Sequence, residues 1–371
     1  MSQIPWWWND IPSQSVHDCV EALESRRMTT GLIVQDLEDL LARHLSYPAI
    51  VVVNSGTSAL MASLLFAGVG PGDNVIVPAM TWIATAQAAR LLGAEVKIAD
   101  ISRATLNLDP DHVDQLVDSR TKAIVPVLFN GRSGGLEDIH QLAGRNGITV
   151  IEDRCKALGT TFLGHKNLGP GGLATFSMGM ISHISVGYGG FVACSSEAQA
   201  QQIRLIRDHG IVRHNESYER LGGNFKLSDF VASLALSQVT LLENRIRQQN
   251  AVERAYAKSL EAISGLEHLG VNSVNPGDAG TYHEGLLSEE YEFSDFAQAC
   301  KELHVGVQSY HPSLSEATYL GSPACENADE IARRIVIFPS GNTVDEILVD
   351  QVDQRISQAL DSLAKKLPSP A

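Results

Sequence analysis

The sequence predicts an α/β fold, with a large, mostly parallel central sheet and a smaller C-terminal α+β domain. Three observations carry this expectation. Short β-rich apolar runs alternate with helical stretches through the first half of the chain. The runs are continuously apolar, as in strands covered on both faces of a parallel sheet. A long helical stretch over about 228–264 then separates this pattern from a last third with helical segments at 293–303, 328–335 and 344–363.

Taken in order, Ile33, Val34, Leu37, Leu40, Leu41 and Leu45 recur at helical spacing and predict an amphipathic helix over 33–45. A strand at 49–53 and a helix at 58–66 follow. Further strands are expected at 74–77, 95–99, 122–128, 149–152, 173–177 and 190–194, with helices at 81–92 and 136–146 between them. In such sheets ligands bind beyond the carboxyl ends of the strands. A length of 371 residues suggests two domains, at roughly 100–200 residues each. The division is placed at 1–245 and 246–371, with segment 1–30 packing on the small domain or on a dimer interface. The tail 365–371 is expected to fray.

The composition, 44% hydrophobic and 19% charged, is that of an ordinary globular protein. A formal charge of -15 argues against nucleic-acid binding, which needs a basic face. Cys19, Cys155, Cys194, Cys300 and Cys325 are scattered, with no zinc spacing, and are expected to be reduced thiols of a cytoplasmic protein. No metal site is expected. No run of about 18 apolar residues suggests a membrane span, and the N-terminus lacks the pattern of a signal peptide.

Two short motifs point to chemistry. Asn54-Ser55-Gly56-Thr57-Ser58 follows a strand and opens a helix, where free N–H groups attract an anion such as phosphate. Ser and Thr also serve there simply as helix caps. Ile151-Glu152-Asp153 ends an apolar strand. An acid at that edge is solvated, caps a helix, or faces a cationic ring nitrogen and holds it protonated, as pyridoxal chemistry requires.

The motifs NSGTSAL, GVGPGDNVIVPAMTWIATAQAARLLGAEVKIADI, TKAIVPVLFNG, ITVIEDRCKALG, TFSMGMISHISVGYGG, IRLIRDHGI, GGNFKLSDFVASLALSQ and NADEIARRIVIFPSG occur in this order. From about residue 30 to 345 the chain resembles the DegT/DnrJ/EryC1/StrS family of sugar aminotransferases. The resemblance implies a fold-type-I enzyme that uses pyridoxal phosphate (PLP), a homodimer with active sites at the subunit interface, and a keto sugar or cyclitol as substrate. By motif position it implies that Gly56, Thr57 and Ser177 bind the cofactor phosphate. Trp82 would stack on the pyridine ring, Asp153 would pair with the ring nitrogen, and Asn224 would reach the phosphate of the neighbouring subunit.

The chain departs from the family at the centre of this site. The Schiff-base lysine expected five positions after Ser177 is Ser182, in Ser177-Met178-Gly179-Met180-Ile181-Ser182-His183. The family's acidic residue in GEGG is Tyr188, and the Gln or His expected three residues after Asp153 is Lys156.

Three readings are open. In one, PLP or pyridoxamine phosphate (PMP) is held non-covalently for dehydratase-like chemistry, with His183 moving the proton. His183 lies one position beyond the matching site, and on an extended segment it faces away from its neighbour. In the second, Lys156 takes over as the covalent lysine, since burial beside a cationic ring favours its free amine. In the third, no cofactor binds, and the chain is a cofactor-independent catalyst or a non-catalytic partner of an active paralogue. Trp6-Trp7-Trp8 either pack on the small domain or dimer interface or stack on a sugar or aromatic substrate. The reading adopted is an aminotransferase-like enzyme of specialised-metabolite or surface-glycan assembly, with Lys156, His183 and Ser182 as the catalytic candidates.

Overall fold

The structure, a computed structural model, describes residues 3–161, 168, 172–212, 217–271, 277–321 and 323–366. The tail beyond 366 lies outside the described residues. The chain begins with α1 (Ser13–Glu24) and α2 (Leu32–Leu45), then β1 (Ala49–Val53), α3 (Gly56–Phe66), β2 (Asn74–Pro78), α4 (Ala84–Leu91), β3 (Glu95–Ala99) and α5 (Pro110–Leu116). It continues through β4 (Thr121–Ile124), α6 (Leu136–Asn146), β5 (Thr149–Asp153), β6 (Leu173–Ser177), β7 (Gly190–Cys194) and α7 (Glu197–Arg207). A short pair, β8 (Ile211–Val212) and β9 (Ser217–Tyr218), precedes α8 (Asp229–Leu260). The last third holds β10 (Leu266–His268), β11 (His283–Leu287), α9 (Phe293–Glu302), β12 (Gln308–Ser309), α10 (Glu326–Arg334), β13 (Ile335–Phe338) and α11 (Glu346–Ala364).

The large sheet has the strand order β1-β7-β6-β5-β4-β2-β3. Strand β7 is antiparallel to β1 and β6, and the other pairs are parallel. Both faces are covered, which explains the unbroken apolar runs. In β1, Ile50 and Val52 pack with Leu37 and Leu41 of α2, Phe176, Phe191 and Val239 of α8. Their neighbours Val51 and Val53 point the other way, toward Ala59 and Ala62 of α3 and Ile203 and Ile206 of α7. Strand β4 stops short of the apolar run that predicted it, because Pro126 has no N–H to donate. Helix α10 likewise ends at Arg334, and Ile335 opens β13 instead of closing the helix.

The second sheet, β10-β11-β13-β12, is antiparallel throughout. Its core joins Phe338 to Phe296 of α9, Val352 and Ile356 of α11, and Val252, Tyr256 and Leu260 of α8. Helix α8 thus serves both cores, contributing Ala232, Ala235, Val239 and Leu242 to the large one. The N-terminal segment lies on the small sheet, where Ile4 bridges Val305 and Trp7 bridges Ser340. Among the described residues, no helix is long and apolar enough to cross a membrane.

A buried polar clasp joins the segment after β4 to the approach to β11. Asn130, at φ 44°, accepts hydrogen bonds from Thr281 N at 2.8 Å and Tyr282 N at 2.9 Å, and donates to Tyr282 O at 3.1 Å. Asparagine is among the few residues that tolerate this left-handed conformation. Beside it Arg132 pairs with Glu284 at 2.8 Å, both buried. Removing one partner leaves the other charge buried and uncompensated. Arg132→Ala is therefore expected to cost about 3–5 kcal/mol in urea unfolding; a loss below about 1 kcal/mol contradicts this role for the clasp.

Candidate active site

The site forms where the carboxyl ends of β5 and β6 meet the start of α3. Ser55 caps α3: its Oγ accepts from Ser58 N at 3.0 Å, and Ser58 Oγ donates to Asn54 Oδ1 at 2.6 Å. The amides of Gly56 and Thr57 follow the cap and have no acceptor a turn earlier in the helix. Gly56 sits against β5 and β6, since a Cβ there would lie 3.0 Å from Cys155 Sγ and 3.3 Å from Ser177 Cβ. Gly190 permits the same close approach from β7, where a Cβ would lie 2.6 Å from the Ser55 carbonyl carbon. Gly56, Thr57 and Ser177 thus surround a helix N-terminus suited to a phosphate. Ser177 Oγ accepts from Gly179 N at 3.1 Å and keeps its own proton to donate. Asn224 is exposed, and its carbonyl accepts from Asn54 Nδ2 at 3.3 Å, next to the same turn.

Asp153 closes β5 and is buried. Its Oδ2 accepts from Thr85 Oγ1 at 3.0 Å and its Oδ1 from Cys155 N at 3.1 Å. Thr85 is in turn 2.9 Å from Thr81 Oγ1. Among the described residues no lysine or arginine forms an ion pair with Asp153. Burial raises its pKa, against the opposing hydrogen bonds from Cys155 and Thr85. The preceding Glu152 points to the opposite face, where it accepts from Arg154 Nε at 2.6 Å and lies 2.8 Å from His140 Nε2. Burial would raise Glu152, but Arg154 and His140 outweigh it and hold its carboxyl low.

Trp82 stands at the rim, 55% exposed, with the His311 ring edge-on at 4.2 Å. A cleft of about 380 Å³ opens between them, with Thr81, Ser313 and Glu316 among its walls. His311 is held below the usual histidine range by burial and by Lys156. Neither it nor Thr85 was singled out in the sequence. His311 stands in a stretch with no motif of its own, and Thr85 reads as an ordinary helical residue.

At the remaining corner, Ser182 and His183 are both buried, and among the described residues Ser182 Oγ and His183 Nε2 have no hydrogen-bond partner. The segment is a turn rather than a strand, closed by Met178 N to Gly189 O at 2.9 Å and Val186 N to Met178 O at 3.0 Å. Strand alternation therefore does not orient His183. Burial, Arg245 and Lys156 push its pKa down to about 4, so the ring is neutral near pH 7. Lys156 donates its Nζ to the carbonyl of Ile181, the residue next to Ser182, and lies 5.4 Å over the Tyr282 ring. Burial pushes its pKa down to about 8, opposed by Cys155 and Asp153. Tyr188 is 83% exposed. The amine of Lys156 thus lies beside the position where the expected lysine is missing.

A sequence profile of the DegT/DnrJ/EryC1/StrS aminotransferase family matches residues 9–357. Among solved structures, 3-amino-5-hydroxybenzoic acid (AHBA) synthase superposes with a TM-score of 0.88 at 25% identity, over 96% of this chain and 98% of the synthase. The aminotransferase TlmJ from Streptoalloteichus hindustanus superposes at 0.90 with 22% identity, over 97% of this chain and 100% of TlmJ. Spr1654 from Streptococcus pneumoniae, in its PLP form, gives 0.88 at 20% identity, over 98% of this chain and 99% of Spr1654. The last two likenesses establish the fold, and the profile extends over nearly the whole sequence. The chain belongs to the DegT/DnrJ/EryC1/StrS aminotransferase family.

Proposed function

We propose that the protein modifies a keto sugar or cyclitol in a PLP or PMP pocket, with Lys156 supplying the amine that position 182 lacks. The observation that carries this reading is the hydrogen bond from Lys156 Nζ to the Ile181 carbonyl, adjacent to Ser182. The residues present fit the cofactor at its other end. A phosphate suits the amides opening α3 with the Ser177 hydroxyl. A cationic ring nitrogen suits Asp153, a buried carboxylate without an ion pair among the described residues.

When bound, the cofactor supplies an electron sink for a carbanion formed beside its nitrogen. The protein's own groups bind, orient and move protons. Thr85 and the Cys155 amide fix the Asp153 carboxylate, which would keep the ring nitrogen of a bound cofactor protonated. Trp82 offers a flat apolar face at the rim. At a pKa of about 8, roughly a tenth of Lys156 is free amine at neutral pH, against fewer than about one in a thousand for an ordinary lysine. Lys156 is therefore the group that attacks a carbonyl or moves a proton. His183, with a pKa of about 4, holds almost no proton at neutral pH and serves as a neutral partner. A homodimer is supported by large residues exposed in the loop after β6 and near β9, including Tyr188 at 83%, Tyr218 at 81% and Leu221 at 75%. There Asn224 would reach the neighbour's phosphate. A cytoplasmic location is consistent with five unpaired cysteines.

Asp153→Ala is expected to abolish PLP binding in equilibrium dialysis; an unchanged affinity sinks the pocket assignment. Saturable binding by the wild-type chain separates this reading from a cofactor-free catalyst or silent partner, which predicts none. The absorbance change on adding PLP should follow an ionisation near the value of about 8 and vanish in Lys156→Met, whereas its persistence there would remove Lys156 from the reaction. In sedimentation velocity the wild type should run as a dimer and Leu221→Glu as a monomer. A monomeric wild type contradicts the interface.

A further inference from the structure

The turn carrying Ser182 has an unusual set of partners. Its four successive carbonyls, from Met180 to His183, are each taken by a side chain from elsewhere in the chain. Trp7 Nε1 donates to Met180 O at 3.2 Å, and Asn9 Nδ2 donates to Ser182 O at 2.9 Å, with a longer contact to Met180 O at 3.4 Å. Lys156 takes Ile181 O between them, and Arg245 takes His183 O. Ser185 Oγ also reaches Met180 O at 3.2 Å.

The segment that supplies Trp7 and Asn9 is itself anchored on the small domain. Trp8 N donates to Ser340 O at 3.1 Å, and Ser340 N to Trp6 O at 2.9 Å. Asn9 Oδ1 accepts from Asn342 N at 3.1 Å, and Asp10 N donates to Asn342 Oδ1 at 2.7 Å. Arg245 closes the circuit by donating to Asp10 O at 3.3 Å. Trp7 packs edge-on against Tyr282 at 6.0 Å, the ring beneath the Lys156 amine. A turn with few backbone hydrogen bonds of its own keeps one shape only when other groups satisfy its carbonyls.

We propose that Trp7 and Asn9 are positioning residues, whose N-terminal strap holds the 180–183 turn so that the Ile181 carbonyl seats the Lys156 amine beside Ser182. It rests on the role proposed for Lys156. Packing and positioning combine here: the aromatic run lies on the small domain and reaches across it into the site. Releasing the turn lets water reach the amine and lessens the desolvation that favours its free form.

The test is competitive acetylation of the full chain with acetic anhydride across pH, read lysine by lysine by mass spectrometry in the absence of PLP. Asn9→Leu removes the amide donor at similar volume. Trp7→Phe keeps an aromatic ring for Tyr282 and removes the indole N–H along with part of the ring system. Both are expected to move the Lys156 midpoint upward from about 8 by about one pH unit, a ~10-fold fall in free amine at neutral pH. The exposed Lys258 is expected not to move, and a purely structural role for the strap would leave the Lys156 midpoint in place. An unshifted Lys156 midpoint in folded Trp7→Phe and Asn9→Leu overturns the inference, even if wild-type Lys156 reacts with PLP. A shifted midpoint in a protein whose Lys156 takes no PLP upholds the strap and rejects the proposed function of the lysine.

Discussion

The carboxylate of Asp153 is buried at the end of a parallel strand with two hydrogen-bond donors and no ion pair among the described residues. That is a costly state for a charge, and burial accordingly raises its pKa. It is compensated when a cation is brought to it. Much of the surrounding architecture bears on this point. Strands β5 and β6 end together there, Gly56 lets the start of α3 approach within contact of Cys155 and Ser177, and the Thr81–Thr85 pair steadies the carboxylate. The neighbouring Glu152 shows the contrast, since its charge is fully answered by Arg154 and His140 on the far face.

The other end of the proposed pocket holds Ser182, where the resemblance leads to the expectation of a lysine. Ser182 has a buried hydroxyl without a partner among the described residues, and in the proposed reading the amine of the site comes from Lys156, three residues after Asp153 closes β5. Its amine lies over the Tyr282 ring, and burial favours its unprotonated form against the opposing charges of Cys155 and Asp153. The same corner is braced by the N-terminal strap and by Arg245 of α8, the helix whose two halves belong to the two cores. The clasp holds the backbone of Tyr282 through Asn130, and Arg132 pairs with Glu284 beside it. Active-site geometry here depends on how the small sheet sits against the large one.

The strands 49–53, 173–177 and 190–194 were legible because they are buried almost throughout, and 95–99 was read correctly although it lies at a sheet edge with Glu95 exposed. Elements were lost where that signal weakens. Helix α1 exposes Val16, Val20 and Leu23, which blurs its apolar face. Strand β12 has only two residues. The Gly56, Ser177 and Asp153 cluster could be read from motif order, and the structure brings these three together. Thr85, His311, Trp7 and Asn9 could not, because their contacts join segments far apart in sequence: 68 residues separate Thr85 from Asp153, and 173 separate Asn9 from Ser182. The contact of Lys156 with the Ile181 carbonyl was equally hidden, since the turn at 179–186 obeys no strand or helix period.

The central claim is that Lys156 replaces the lysine missing at position 182, and one measurement addresses it directly. Purified full-length protein is mixed with PLP, reduced with borohydride, weighed intact and then mapped by peptide. The account predicts one cofactor-sized mass increment per chain, located on Lys156. A protein that binds PLP yet leaves Lys156 unmodified, or carries the label on another residue, contradicts it.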